Sequence, residues 1–153
     1  MAKLTYFLRK RRKGANFSVE QIFDDLAKRF SEKYLVEQKI LPYVSSGFFK
    51  RLANILSASF AQGDVNHITG DINYIALLLK KRKTVSTILD LGILHRTSGL
   101  KRKILLTIWF KWPVHSSKWV TVISEATKQD LLKNVPCNPD KIKVIYVPIS
   151  ASF

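Results

Sequence analysis

The sequence contains one cysteine, Cys137, one methionine, six glycines and five prolines in 153 residues. A single thiol excludes an internal disulfide and suits a reducing cytosol. The low glycine and proline content, beside 46% hydrophobic residues, excludes a disordered chain and allows one domain with a real core. No apolar run is long enough to span a bilayer, and the IWF of KILLTIWFKW is far too short. The basic N-terminus is not followed by the apolar segment and small-residue cleavage site of a signal peptide. No Cys/His cluster has metal-ligand spacing, so no metal is expected. No G-x-S-x-G or Ser/His/Asp pattern is readable either, which argues against a self-contained hydrolase. The scarcest class is acidic: 11 Asp and Glu stand against 26 Lys and Arg, a formal charge of +15. A field of that size attracts polyanions, whether nucleic acid, anionic lipid headgroups or phosphorylated ligands.

What is present is an alternation of strand and helix signals. KLTYFLR (3–9), VEQKILPY (36–43), DVNHIT (64–69), TVSTILD (84–90), KWVTVIS (118–124) and KIKVIYVPIS (141–150) read as strands. FSVEQIFDDLAKRF (17–30) reads as an amphipathic helix opened by a Ser18/Gln21 capping box and a Phe17–Ile22 staple. Further helices are expected over 45–61, 72–79, 99–112 (stopped near Pro113) and 125–134. This pattern predicts an α/β, doubly wound, mostly parallel sheet of Rossmann-like type with helices on both faces. In such folds ligands bind outside the carboxyl ends of the strands. Those ends collect Arg9 to Lys13, Tyr43, His67 with Thr69, Gly70 and Asp71, then Asp90, then Ser124 with Glu125.

Each candidate has a purely structural alternative. The loop RKRRKGANFS joins cations to a helix N-terminus and suits phosphate, or is a solvated basic turn. Gly70 lets a ligand approach the backbone, whereas Asp71 serves equally as a helix cap and His67 as a hydrogen-bonded buried histidine. The segment GLKRKILLTIWFKWPVHSSKW sets Lys101, Arg102, Lys103, Lys111 and Lys118 among Trp109, Phe110, Trp112 and Trp119. Tryptophan beside lysine suits a membrane interface, and also single-stranded nucleic acid. A core helix explains part of that apolar set but does not need three tryptophans within eleven residues.

The ordered pieces FLRKRRKGANFSVEQIF, DVNHITGDINYIALLL, TVSTILDLG, WVTVISEATKQDLL and KIKVIYVPIS resemble the N-terminal half of bacterial family 4 glycosyltransferases of GT-B architecture, over essentially the whole chain. NHITGD, the ISEATK turn and VIYVPIS are the most specific. The resemblance implies a retaining sugar transfer from a nucleotide-sugar co-substrate, with two Rossmann-like domains facing each other across a cleft. It implies that this half holds the acceptor, often a lipid-linked sugar at the cytoplasmic membrane face, in cell-surface glycan synthesis. By position, Gly14, Ala15 and Asn16 would face the donor diphosphate. Asp90 and His67 would act at the reacting sugar, while Gly70, Asp71, Ser124 and Glu125 would bind acceptor. Lys101, Arg102, Lys103, Trp109 and Trp112 would meet anionic lipid.

Two departures bear on activity. The family reads TIHDLG where this chain reads TILDLG, so Leu89 replaces a histidine and removes a polar contact; His67 and His95 are the candidates to compensate. The sequence also reaches Phe153 where the family's interdomain hinge begins. The expectation is therefore one acceptor-side domain over 1–153, inactive alone, peripheral to the inner membrane face, needing a donor domain or partner subunit. The competing expectation is a non-catalytic membrane- or nucleic-acid-binding module built on a degenerate transferase half, or one subunit of a split transferase.

Overall fold

A computed structural model of the chain describes residues 1–10 and 18–146. The β-branched and aromatic runs form six strands: β1 (Lys3–Leu8), β2 (Leu35–Ile40), β3 (Val65–Thr69), β4 (Thr84–Ile88), β5 (Trp119–Val122) and β6 (Ile142–Val144). All pair in parallel, in the order β2-β1-β3-β4-β5-β6. The fold is thus a Rossmann-like, doubly wound α/β sheet. From β1 the chain winds outward to β2, then crosses back to β3 on the other side. That reversal opens a crevice at the carboxyl ends of β1 and β3.

Register divides the side chains between two faces. Tyr6, His67, Val85 and Trp119 lie in one row, and Thr69, Thr87, Thr121 and Lys143 in another row of the same face. Phe7, Ile68, Ser86, Val120 and Ile142 point the other way. On the first face α1 (Ser18–Phe30) packs Phe23 and Ala27 onto Tyr6 and Leu8. The second face carries the rest: α2 (Phe48–Phe60), a 3₁₀ helix (Asn73–Leu78), α3 (Gly92–His95), α4 (Gly99–Leu105), α5 (Trp112–Ser116) and α6 (Glu125–Asn134). Helices do flank both faces, but unevenly. On the first face Thr87 of β4 is still buried, Thr121 of β5 is half-buried, and Trp119 and Lys143 stand exposed at the β5–β6 edge.

Several elements differ from the periodicity. β4 ends at Ile88, so Asp90 lies two residues beyond it. Residues 72–79 adopt the tighter 3₁₀ form over Asn73–Leu78. Pro113 does not stop its helix. A π-helical segment, Leu106–Lys111, joins α4 to α5, and Trp112 N–H reaches back five residues to the Thr107 carbonyl. The widened turn accommodates a proline that has no N–H to give, so the rod continues to Ser116. The last strand closes at Val144; residues 147–153, like Gly14, Ala15, Asn16 and the Phe17 staple, lie outside the described residues.

Candidate functional site

Three adjacent strands hand their carboxyl ends to one cleft of about 580 Å³. β1 leads into Arg9 and Lys10, β3 into Gly70 and Asp71, and β4 into Leu89 and Asp90. Gly70 has φ +86°, a left-handed conformation that strains any residue with a Cβ, which explains glycine at this turn. Beyond it, Asp71 accepts a charge-assisted hydrogen bond from Arg9 Nη1 at 2.8 Å. The Asp71 carbonyl accepts from Trp109 Nε1 at 3.0 Å, so the π-helical segment is fastened to the end of β3. Trp109 in turn packs on Tyr74, with ring centroids 5.4 Å apart, and carries the Arg51 guanidinium 4.7 Å from its centroid.

The opposite wall is held by Asn54, which is fully buried. Its side chain brackets the Tyr43 peptide, accepting from N–H at 3.0 Å and donating to the carbonyl at 2.8 Å. It also donates to the Tyr74 hydroxyl at 3.0 Å. This clamp sets the loop that presents Val44 and Ser45 to the cleft. Lys10 Nζ donates to the Pro42 carbonyl of the same loop at 2.9 Å.

Two polar groups in the cleft have capacity to spare. Asn73 is buried and donates through Nδ2 to the Thr87 carbonyl at 3.3 Å, while its Oδ1 has no partner among the described residues. Asp90 is exposed; its Oδ1 accepts from Gly92 N–H at 2.7 Å and so starts α3. The carboxylate at the end of β4 therefore has a structural duty, with its second oxygen available to the cleft. Leu89 is half-buried in the lining.

The other sequence candidates lie elsewhere. His67 points to the α1 face, between Tyr6 and Phe23, with ring centroids 5.2 Å from each. Its Nε2 is 2.8 Å from Thr87 Oγ1, and burial lowers its pKa from 6.5 to about 4, so the ring is neutral at physiological pH. The parity of β3 is the reason: residue 67 faces opposite to Ile68, and only the turn after Thr69 reaches the cleft. Ser124 caps α6, its Oγ accepting from Thr127 N–H at 3.1 Å, and Glu125 is the exposed first residue of that helix. Neither lines the cleft, although Thr127 Oγ1 donates to the Leu89 carbonyl at 3.4 Å. His95 pairs with Asp130 at 2.6 Å and also stands outside the cleft. Lys101, Lys103 and Trp112 are exposed, Arg102 is held by Asn134 at 2.7 Å, and Trp109 is turned inward to the cleft.

Sequence reasoning missed Arg51, Asn54 and Asn73. A signal existed for the first two. Helical spacing places Arg51, Asn54 and Ala58 on one side of α2, which is a polar patch on the face expected to be buried. Asn73 carried none. Among the described residues no group of three His, Cys, Asp or Glu side chains is placed to hold a metal ion. Compared with known proteins, the chain matches no family model and no curated protein at a significant level.

Proposed function

We propose that this chain is the acceptor-binding half of a glycosyltransferase, holding a phosphorylated or lipid-linked sugar while a second domain or subunit presents the nucleotide sugar. The observation that carries the reading is the make-up of one cleft. Cations of Arg9, Lys10 and Arg51 line it together with the carboxylates of Asp71 and Asp90 and the buried Asn73 Oδ1, which has no partner among the described residues. Guanidinium and ammonium groups suit phosphate oxygens, while carboxylate and amide oxygens accept from sugar hydroxyls. A phosphorylated sugar needs both kinds of partner within one ring's width. In this reading Arg51 and Lys10 hold phosphate, and Asn73, Asp71 and Asp90 orient the hydroxyl that attacks. His67, neutral and on the far face, supports the sheet instead of touching substrate. Titration calorimetry with a sugar diphosphate bearing a short prenyl chain tests this directly. Removing a charged partner should weaken binding roughly tenfold or more and removing a neutral one about threefold to tenfold, so Arg51→Ala should bind poorly and Asn73→Ala measurably less well than the parent. Wild-type affinity in both variants, or no binding by the parent chain, would refute the assignment.

A second reading, a nucleic-acid-binding module, has one observation in its favour. At the amino ends of β4 to β6, a shallow groove of about 820 Å³ is lined by Lys81, Arg82, Lys118 and Lys141 around Trp119. Base stacking would need a free indole face, yet Lys143 Nζ already lies 5.0 Å from the Trp119 centroid. It therefore ranks second. Tight, salt-sensitive binding of a single-stranded oligonucleotide, lost in Trp119→Ala, would reverse the ranking.

A further inference from the structure

We infer that the groove at the amino ends of β4 to β6 is a binding site for a compact oligophosphate. Three strand starts meet there. The chain reaches β4 from a 3₁₀ turn, Lys81–Lys83, and β6 from another, Pro139–Lys141, while Lys118 directly precedes β5. Parallel pairing sets these starts at one level of the sheet. Segments far apart in sequence thus deliver Lys81, Arg82, Lys118 and Lys141 to one depression. Backbone groups fix the arrangement: Lys118 N–H donates to the Thr84 carbonyl at 2.8 Å, and Asn138 Oδ1 accepts from Asp140 N–H at 2.9 Å to shape the second turn. The cations are held near one another by the fold, not drawn together by any attraction of their own.

The charge balance points to a ligand. Like charges gathered in a groove repel one another unless something of opposite sign lies among them. Among the described residues Asp140 is the one carboxylate in the lining, and neither it nor any of the four cations takes part in an ion pair. Lys141 is the least exposed of the four and donates through Nζ to the Val114 carbonyl. Burial pushes its pKa down, and the nearby Lys81 ammonium lowers it further. Phosphate oxygens set among these groups would replace repulsion with charge-assisted hydrogen bonds.

Size and shape select the class of anion. The groove is shallow, about 820 Å³, and its cations lie within one depression instead of along a track. An oligophosphate concentrates several charges in a short span and needs no stacking surface. A nucleic acid would call on the Trp119 ring, which already carries Lys143 Nζ at 5.0 Å. The groove opens at the end of the strands opposite the cleft, so this inference does not rest on the acceptor reading.

The test is titration calorimetry of the full chain with inorganic tripolyphosphate at about 0.15 M salt, where attraction between exposed charges is screened beyond roughly 8 Å. Lys81→Ala/Lys118→Ala should weaken binding roughly a hundredfold, at about tenfold for each lost charged partner. Both side chains are exposed, so the fold should survive, as circular dichroism would verify. Lys101→Ala/Lys103→Ala removes the same charge from α4 and should bind like the parent. No binding by the parent, or an equal loss in the two double variants, would overturn the proposal. Unaltered binding in Lys81→Ala/Lys118→Ala with a loss in Arg51→Ala would overturn it by moving the phosphate to the cleft, where it would bear on the acceptor reading instead. A single-stranded oligonucleotide that displaces tripolyphosphate, and whose binding is lost in Trp119→Ala, would overturn it in favour of nucleic acid.

Discussion

Replacing Asn54 with alanine should be among the most damaging single changes outside the apolar core. The side chain is fully buried and makes three hydrogen bonds, two to the Tyr43 peptide and one to the Tyr74 hydroxyl. Truncation leaves the buried Tyr74 hydroxyl unpaired, at about 1–3 kcal/mol, and removes bonds from two partly buried main-chain groups at roughly 1 kcal/mol each. The expected loss is about 3–5 kcal/mol in urea unfolding followed by circular dichroism, a large share of a typical domain's stability. Tyr74→Phe separates the contributions. With no hydroxyl to orphan, the double variant Asn54→Ala/Tyr74→Phe should be more stable than the sum of the singles predicts, by about 1–2 kcal/mol. The same clamp fixes the loop bearing Val44 and Ser45, so sugar-diphosphate affinity should fall along with stability. A loss under about 1 kcal/mol, or strict additivity in the double variant, would refute the argument that this amide braces the cleft wall.

Two further outcomes follow from the packing. The folded-state pKa of His67 lies near 4, below the unfolded value of 6.5, so the unfolded chain binds the extra proton. Its contribution is fully present above pH 6.5 and lost as pH falls towards 4, by up to about 3 kcal/mol; thermal melts across that window should show the decline, and His67→Gln should flatten it. At Gly63 an added Cβ would lie 2.7 Å from both the Lys3 carbonyl oxygen and Thr5 Oγ1, closer than real contacts allow. Because main chain cannot easily yield, Gly63→Ala should cost roughly 1–3 kcal/mol in urea unfolding, and a wild-type midpoint would contradict so close an approach of the two segments.

The sheet was legible because strand residues repeat at a period that local chemistry enforces. The β-branched runs at 64–69, 84–90 and 118–124 each contain a strand, and alternation with helices leads to parallel pairing. Ser124, expected at a strand mouth to bind acceptor, caps α6 instead. Pro113 misled because its effect depends on the turn before it: a π-helical segment removes the demand for its missing N–H, and no sequence period announces that segment. Trp109 read as a surface residue from its basic neighbours. Whether its indole meets lipid or the Asp71 carbonyl depends on how the helix is rotated against the 3₁₀ helix, a long-range matter.

By itself the sequence determined the class of fold, the level along each strand at which polar residues gather, and the surplus of positive charge. Each of these follows from local periodicity, from turn chemistry or from counting. Only the tertiary structure decided which candidates share a cleft. Strand parity sent His67 to the face opposite its neighbour Ile68, and the crossover at β1 and β3 brought Arg9 to Asp71. Packing of α2 then placed Arg51 against Trp109 and left Phe48, Phe49 and Phe60 to solvent. These placements depend on side chains distant in sequence meeting at a common interface, where close packing and hydrogen-bond satisfaction select one arrangement among those that local preferences allow.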